Sequence, residues 1–229
     1  MFDSTQCDDH AAPRLWGLVK AADGSLPGEQ THTTFHIRNG DHAGVLAFAS
    51  ALDAEIYCQQ LLGLGLPGWQ RARLEQIDLE RLLSGQPLQQ RKLMLALGFF
   101  ASDTNDLLLD DQQMLITPLL PVPVRMTHSL HGMSHLQIER EVLDFVEHWW
   151  ERVGGDDYSD QVRIAAGWSD HQLALRAREA LEMAAMASVR RHQAMWKDTG
   201  NGDECAVFSP DSGAWCFSTL KGRRERALH

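Results

Sequence analysis

The segment Gly44–Leu66, GVLAFASALDAEIYCQQLLGLGL, constrains the fold more than any other stretch of the chain. Val45–Phe48 is an unbroken apolar run of the length of a buried strand. Ser50 follows, and Asp53 three residues on completes the spacing of a capping box, which satisfies orphan amides at a helix start. Ala54, Tyr57, Cys58 and Leu61 then recur at helical spacing, so one face of that helix lies on the strand's sheet. Gly63 and Gly65 stop it, because glycine tolerates the left-handed backbone that closes helices. A strand running straight into its covering helix defines a core and leaves the chemistry open.

The flanks extend this unit. Leu15–Lys20 reads as a first strand ending at the Asp23-Gly24 turn signal. In Thr33–Arg38, Phe35 and Ile37 alternate with His36 and Arg38, the pattern of a half-buried strand. Asn39-Gly40 suits a two-residue hairpin turn flanked by Arg38 and Asp41, which pairs that strand with Val45–Phe48. Downstream, Trp69–Ile77 reads as a strand with an exposed face carrying Arg71, Arg73 and Glu75, and Asp78 can open a short helix through Leu83. Lys92–Phe100, Leu107–Leu109 and Met114–Thr117 read as further strands. The proline-rich PLLPVPV, with Pro118, Pro121 and Pro123, reads as a link, since proline removes ladder donors.

Beyond Arg125 the character turns helical. Ser134 and Gln137 have capping-box spacing with Met133 and Ile138 as a staple, and Ile138, Val142, Phe145 and Trp149 share one helical face. Trp168, Ser169, Gln172 and Leu173 repeat the same start for an alanine-rich helix expected to reach Trp196 and to pack closely on another helix. Asp156–Gly167 between them has room for a helical turn. Cys205–Phe208 and Ala214–Thr219 form a terminal hairpin. The expected fold is therefore α+β: a mainly antiparallel sheet with one or two covering helices, followed by a helical hairpin and a terminal β-hairpin. The expected division is a mobile leader at 1–12, a sheet domain at 13–124, a helical and hairpin region at 125–220 packed on it, and a basic tail at 221–229.

With 44% hydrophobic and 23% charged residues over 229 positions, the chain is ordinary globular material that can bury a substantial core. Its net charge of −10 argues against binding nucleic acid by neutralising phosphates. No secretory signal and no apolar run of about 18–20 residues is visible, so a cytoplasmic, bacterial-type protein without a membrane partner is expected. The four cysteines are scattered and expected as free thiols, Cys58 as a small core residue.

Three groups of residues invite a chemical reading. Met126–His135 places His128, His131 and His135 beside two methionines, donors suited to zinc or copper, but without the spacing of a helix-borne metal site. Asp144, Glu147, His148 and Glu151 crowd one helix, where the di-iron pattern of Glu-x-x-His from two helices is not met, so a solvated face is expected. Asp103, Asn105, Asp106, Asp110 and Asp111 lack the glycine and glutamate of a calcium loop and read as an acidic turn. Neither a nucleophile elbow nor a phosphate loop occurs. Trp149 and Trp150 are adjacent on a helix and about 100° apart, so Trp149 is expected in the core and Trp150 at a partner surface.

These signals favour a non-enzymatic module that binds another protein, as an adaptor, regulator, chaperone or immunity protein, without a cofactor. The first alternative is a transition-metal protein using the three histidines, the second an enzyme whose site is assembled from distant residues. The hairpin and the segment VLAFASALDAEIYCQQL resemble the small α/β module at the N-terminus of SseB-like bacterial proteins. That resemblance is one of pattern and implies no activity or site residue for this chain.

Overall fold

The computed structural model describes residues 14–21, 32–40, 42–78, 83, 92–128, 134–189 and 204–219. Its first sheet holds seven strands: β1 (Trp16–Ala21), β2 (His32–Thr34), β3 (His36–Asn39), β4 (His42–Phe48), β5 (Trp69–Arg73), β6 (Lys92–Ala96) and β9 (Leu119–Pro123). The second runs β12 (Met186–Ser188), β8 (Leu107–Leu109), β7 (Phe99–Ala101), β13 (Glu204–Ser209) and β14 (Ala214–Thr219). A separate ladder joins β10 (Arg125–His128) to β11 (Ser134–Gln137). Pairing is antiparallel except for β4 with β6 and β12 with β8. Four α-helices among the described residues complete the α+β fold: α1 (Ala51–Gly63), α2 (Arg140–Gly154), α3 (Tyr158–Ala165) and α4 (Asp170–Met183).

The organising segment behaves as its sequence dictates. Val45–Phe48 is fully buried in β4, and Ser50 Oγ accepts the Asp53 amide at 3.2 Å to open α1. The hairpin before it forms one residue later than the sequence suggests. Asn39 is itself paired, with His42, so the turn starts at Gly40, whose φ of +57° favours glycine.

Lys92–Ala101 is one extended run bent at Gly98, which passes it from the first sheet, as β6, into the second, as β7. Gly98 has φ +90°, and a Cβ there would lie 2.6 Å from the Ala206 carbonyl oxygen. Only glycine permits both that conformation and that approach. The run therefore couples the two sheets.

Several local expectations give way to long-range pairing. PLLPVPV is not a link, because its residues 119–123 form edge strand β9 on β6. An edge strand needs donors on one side only, so Pro121 and Pro123 are tolerated there. Ser134 and Gln137 do not open a helix: they lie in β11, and α2 begins at Arg140 after Glu139, which makes no side-chain cap. Trp69–Ile77 splits into β5 and a 3₁₀ turn at Leu74–Gln76. Ser169 and Gln172 do form the complete capping box of α4, but that helix ends at Met183 and β12 follows. The segment expected to carry the short helix after Asp78 falls largely outside the described residues, as do the leader, the tail and residues 190–203.

The apolar faces explain the layering. On one side, α1 and the Leu173, Ala177 and Ala180 face of α4 share a core with Leu18, Phe48 and Phe208. The helix that the α4 alanines admit is α1. On the other side, Val146, Trp150 and Val153 of α2 and Tyr158 and Val162 of α3 pack on Leu95, Val122 and Val207. Gln60 ties α1 to the turn before Leu115: its Nε2 donates to the Gln113 carbonyl at 2.9 Å and its Oε1 accepts the Leu115 amide at 2.9 Å. A buried amide satisfied on both ends fixes the loop's register.

Candidate functional site

The last turns of α1, the edge strand β5 and the first turn of α4 enclose a cleft of about 400 Å³. Its geometry follows from β5 pairing with β1. That register sets Arg73 opposite Trp16 and Arg71 opposite Leu18, so both arginines share the face that α1 covers. The Arg71 guanidinium lies 5.1 Å and that of Arg73 5.6 Å from the Trp16 ring. Stacking on an indole suits the weakly hydrated, planar guanidinium. Arg71 is thus not on an exposed face: its side chain is only 10% exposed.

Two carboxylates reach Arg71. Glu55 Oε2 of α1 lies 3.4 Å from Nε, an ion pair without hydrogen-bond alignment. Glu55 Oε1 accepts from Gln59 Nε2 at 2.8 Å. Asp170, the first residue of α4, accepts a short hydrogen bond from Arg71 Nη2 while its own side chain is 98% exposed. Arg71 therefore clamps α1 to α4 through one covered and one solvated carboxylate. Trp69, held edge-on by Phe35 at 5.1 Å, forms part of the wall. Leu62 and Leu66 form the rim, 54% and 49% exposed, with exposed Leu64 between them. The Cys58 thiol in the wall is pushed up to about 12 by burial and by Glu55, against the opposing pull of Arg71. It is an inert lining group, not a nucleophile.

The residues singled out from the sequence lie elsewhere. His128 stands in β10 opposite Ser134, and His135 in β11 opposite Thr127; His131 lies outside the described residues. No group of three or more His, Cys, Asp or Glu able to hold a metal occurs among the described residues. Trp150 is 1% exposed and packs edge-on against Tyr158 within the chain. The exposure on which an interface at Trp150 was expected is absent, and the half-buried neighbour is Trp149, whose Nε1 donates to the Leu97 carbonyl at 2.9 Å.

The acidic helix face is engaged within the chain: Arg140 pairs with Asp144 and Arg163 with Glu147, while His148 Nδ1 lies 3.8 Å from Glu151 Oε2. The acidic turns are closed upon themselves. Asp110 Oδ1 accepts the amides of Gln112 and Met114, and Ser102 Oγ accepts those of Thr104 and Asp106. Among the described residues, no helix is long and apolar enough to cross a membrane.

Comparison with protein-family models, with curated proteins and with solved structures returns no match. The site is therefore read from its own geometry. The cleft left little local trace in the sequence, because its walls come from residues 55–71 and 170–174. The one local signal was LLGLGL, leucines recurring past the glycine that ends a helix.

Proposed function

We propose that this chain is a cytoplasmic, non-enzymatic module that binds another protein at the cleft between α1, β5 and α4. The observation that carries the reading is the rim: Leu62 and Leu66 stand exposed at the edge of the concavity, with exposed Leu64 between them in the chain. Clustered exposed apolar side chains around a recess mark interaction sites, whereas single ones are ordinary surface. The chemistry of the lining agrees, since its thiol is inert and its arginine is already paired. A cytoplasmic setting accords with Cys58, Cys205 and Cys216 being free thiols.

The test is comparative affinity capture from lysate of the source cell, with the unmodified protein, Leu62→Asp/Leu66→Asp, and Ile164→Asp. Ile164 is also exposed, on α3. All three chains should fold alike, because substitutions at exposed positions usually stay within about 0.5 kcal/mol. The expected result is a polypeptide retained by the unmodified chain and by Ile164→Asp but reduced at least ~10-fold by the double variant, the scale of losing anchor residues. Identical capture by all three would contradict the reading.

A further inference from the structure

We infer that the cleft accepts a basic side chain, arginine or lysine, carried between apolar residues on the partner's docking segment; this rests on the protein-binding reading above. The argument is one of charge and size. Among the described residues lining the cleft, Arg71 is the one cation, and it is the least available of the charged groups. Its guanidinium is covered by the Trp16 ring and engaged by both Glu55 and Asp170. The charge that reaches solvent is the carboxylate of Asp170.

An incoming anion would meet Glu55 and Asp170 before it met a free donor, and like charges brought together at an interface are costly. An incoming cation instead adds a second partner to a carboxylate that now has one. The cleft also holds other groups that such a cation uses. Trp69 offers an aromatic wall. Gln59 donates its Nε2 to Glu55, which leaves its side-chain carbonyl as an acceptor. The chain's net charge of −10 favours the approach of basic segments over acidic ones.

Size narrows the occupant. A volume of about 400 Å³ is at the small end for a ligand cleft and takes one long side chain with its backbone, not a helix. Arginine and lysine join an apolar stem to a charged head. The stem would lie along Leu62 and Leu66 with the head at Asp170, and the leucine rim would cover the apolar neighbours.

The experiment uses the full chain labelled with ¹⁵N and three capped peptides, acetyl-Leu-Arg-Leu-amide, its citrulline analogue and its glutamate analogue. The arginine peptide should shift the amide signals of Gln59, Leu62, Trp69 and Asp170 on titration. Its affinity should exceed that of the citrulline peptide by roughly 3- to 10-fold, the scale of one partly exposed charge pair. Asp170→Asn, at an exposed position, should erase that preference while leaving the spectrum of the rest of the chain in place.

Equal binding of the arginine and citrulline peptides overturns the inference. So does a preference for the glutamate peptide that Asp170→Asn strengthens, which would make Arg71 an anion receptor. If the peptides show no preference while Leu62→Asp/Leu66→Asp still loses its captured protein, the cation chemistry falls and the protein-binding reading stands. An arginine preference with unchanged capture keeps the cation site and removes the docking reading.

Discussion

Trp150→Ala is expected to cost about 3–5 kcal/mol of stability, the usual loss when a large core aromatic is truncated. Trp150 is the largest of the fully buried side chains among the described residues and joins Val146, Val153, Tyr158 and Val162 in the core they share with Leu95, Val122 and Val207. Removing it leaves a cavity between two helices and a sheet, where the surroundings can relax only in part. For a chain of this size that loss lowers the thermal midpoint by roughly 10 °C. Trp149→Ala should cost less, because its ring is half-buried and the change forfeits one hydrogen bond to Leu97, worth about 1 kcal/mol, with part of an apolar contact. Thermal melts by circular dichroism on both variants check the order. Equal midpoints, or Trp149→Ala the lower, would contradict the packing described for α2.

Asp53→Asn is expected to stabilise the protein above neutral pH, by an amount that vanishes only below about pH 4. Asp53 is the third residue of α1, buried, and its Oδ1 has no hydrogen-bond partner. Burial pushes its carboxyl from 3.8 up to about 7. The neighbouring ionisable group is the buried Tyr158 on α3, whose phenol burial and Asp53 both push upward; Cys216 of β14 adds to this.

A raised carboxyl means that the native chain holds a proton which the unfolded chain releases. Stability is therefore full below about pH 4 and falls as pH rises through about 7. The shift corresponds to a loss of about 4 kcal/mol across that window. Asparagine keeps the shape and the Ser50 cap, which binds the backbone amide of residue 53, and removes the titration. Urea unfolding at about pH 8 and about pH 3.5 should show a large gain in stability for Asp53→Asn at the higher value and near parity at the lower. A constant difference at both values would mean that the carboxyl does not titrate in this window.

What the sequence revealed and what it hid divide along the range of the interactions involved. The α4 start was legible because Ser169 and Gln172 satisfy each other's amides within one turn. Ser134 and Gln137 have the same spacing, yet their backbone groups are taken by β10, with Arg125 facing Gln137 across the ladder. The face of α2 was misjudged for a related reason. Ile138 precedes the helix, so counting a stripe from it selects Phe145 and Trp149, while the buried residues are Val146, Trp150 and Val153.

Arg71 shows why the site itself was hidden. Polarity alone placed it in water. Its actual partners are Trp16 on a neighbouring strand, Glu55 on the covering helix and Asp170, ninety-nine positions away. Asp53 shows the converse: its spacing from Ser50 was read correctly, but the reciprocal half of a capping box does not form and the carboxyl is left buried. Neither fact has a local signature.

The docking face is tested most directly by photo-crosslinking in the living source cell. A benzophenone-bearing amino acid is placed at Leu66, on the cleft rim, or at Ile164, exposed on α3. A docking face at the cleft predicts a discrete higher-mass adduct from position 66, none of comparable yield from position 164, and a weaker adduct from position 66 when Asp170→Asn is added. No adduct at position 66, or the same adduct from both positions, would contradict it.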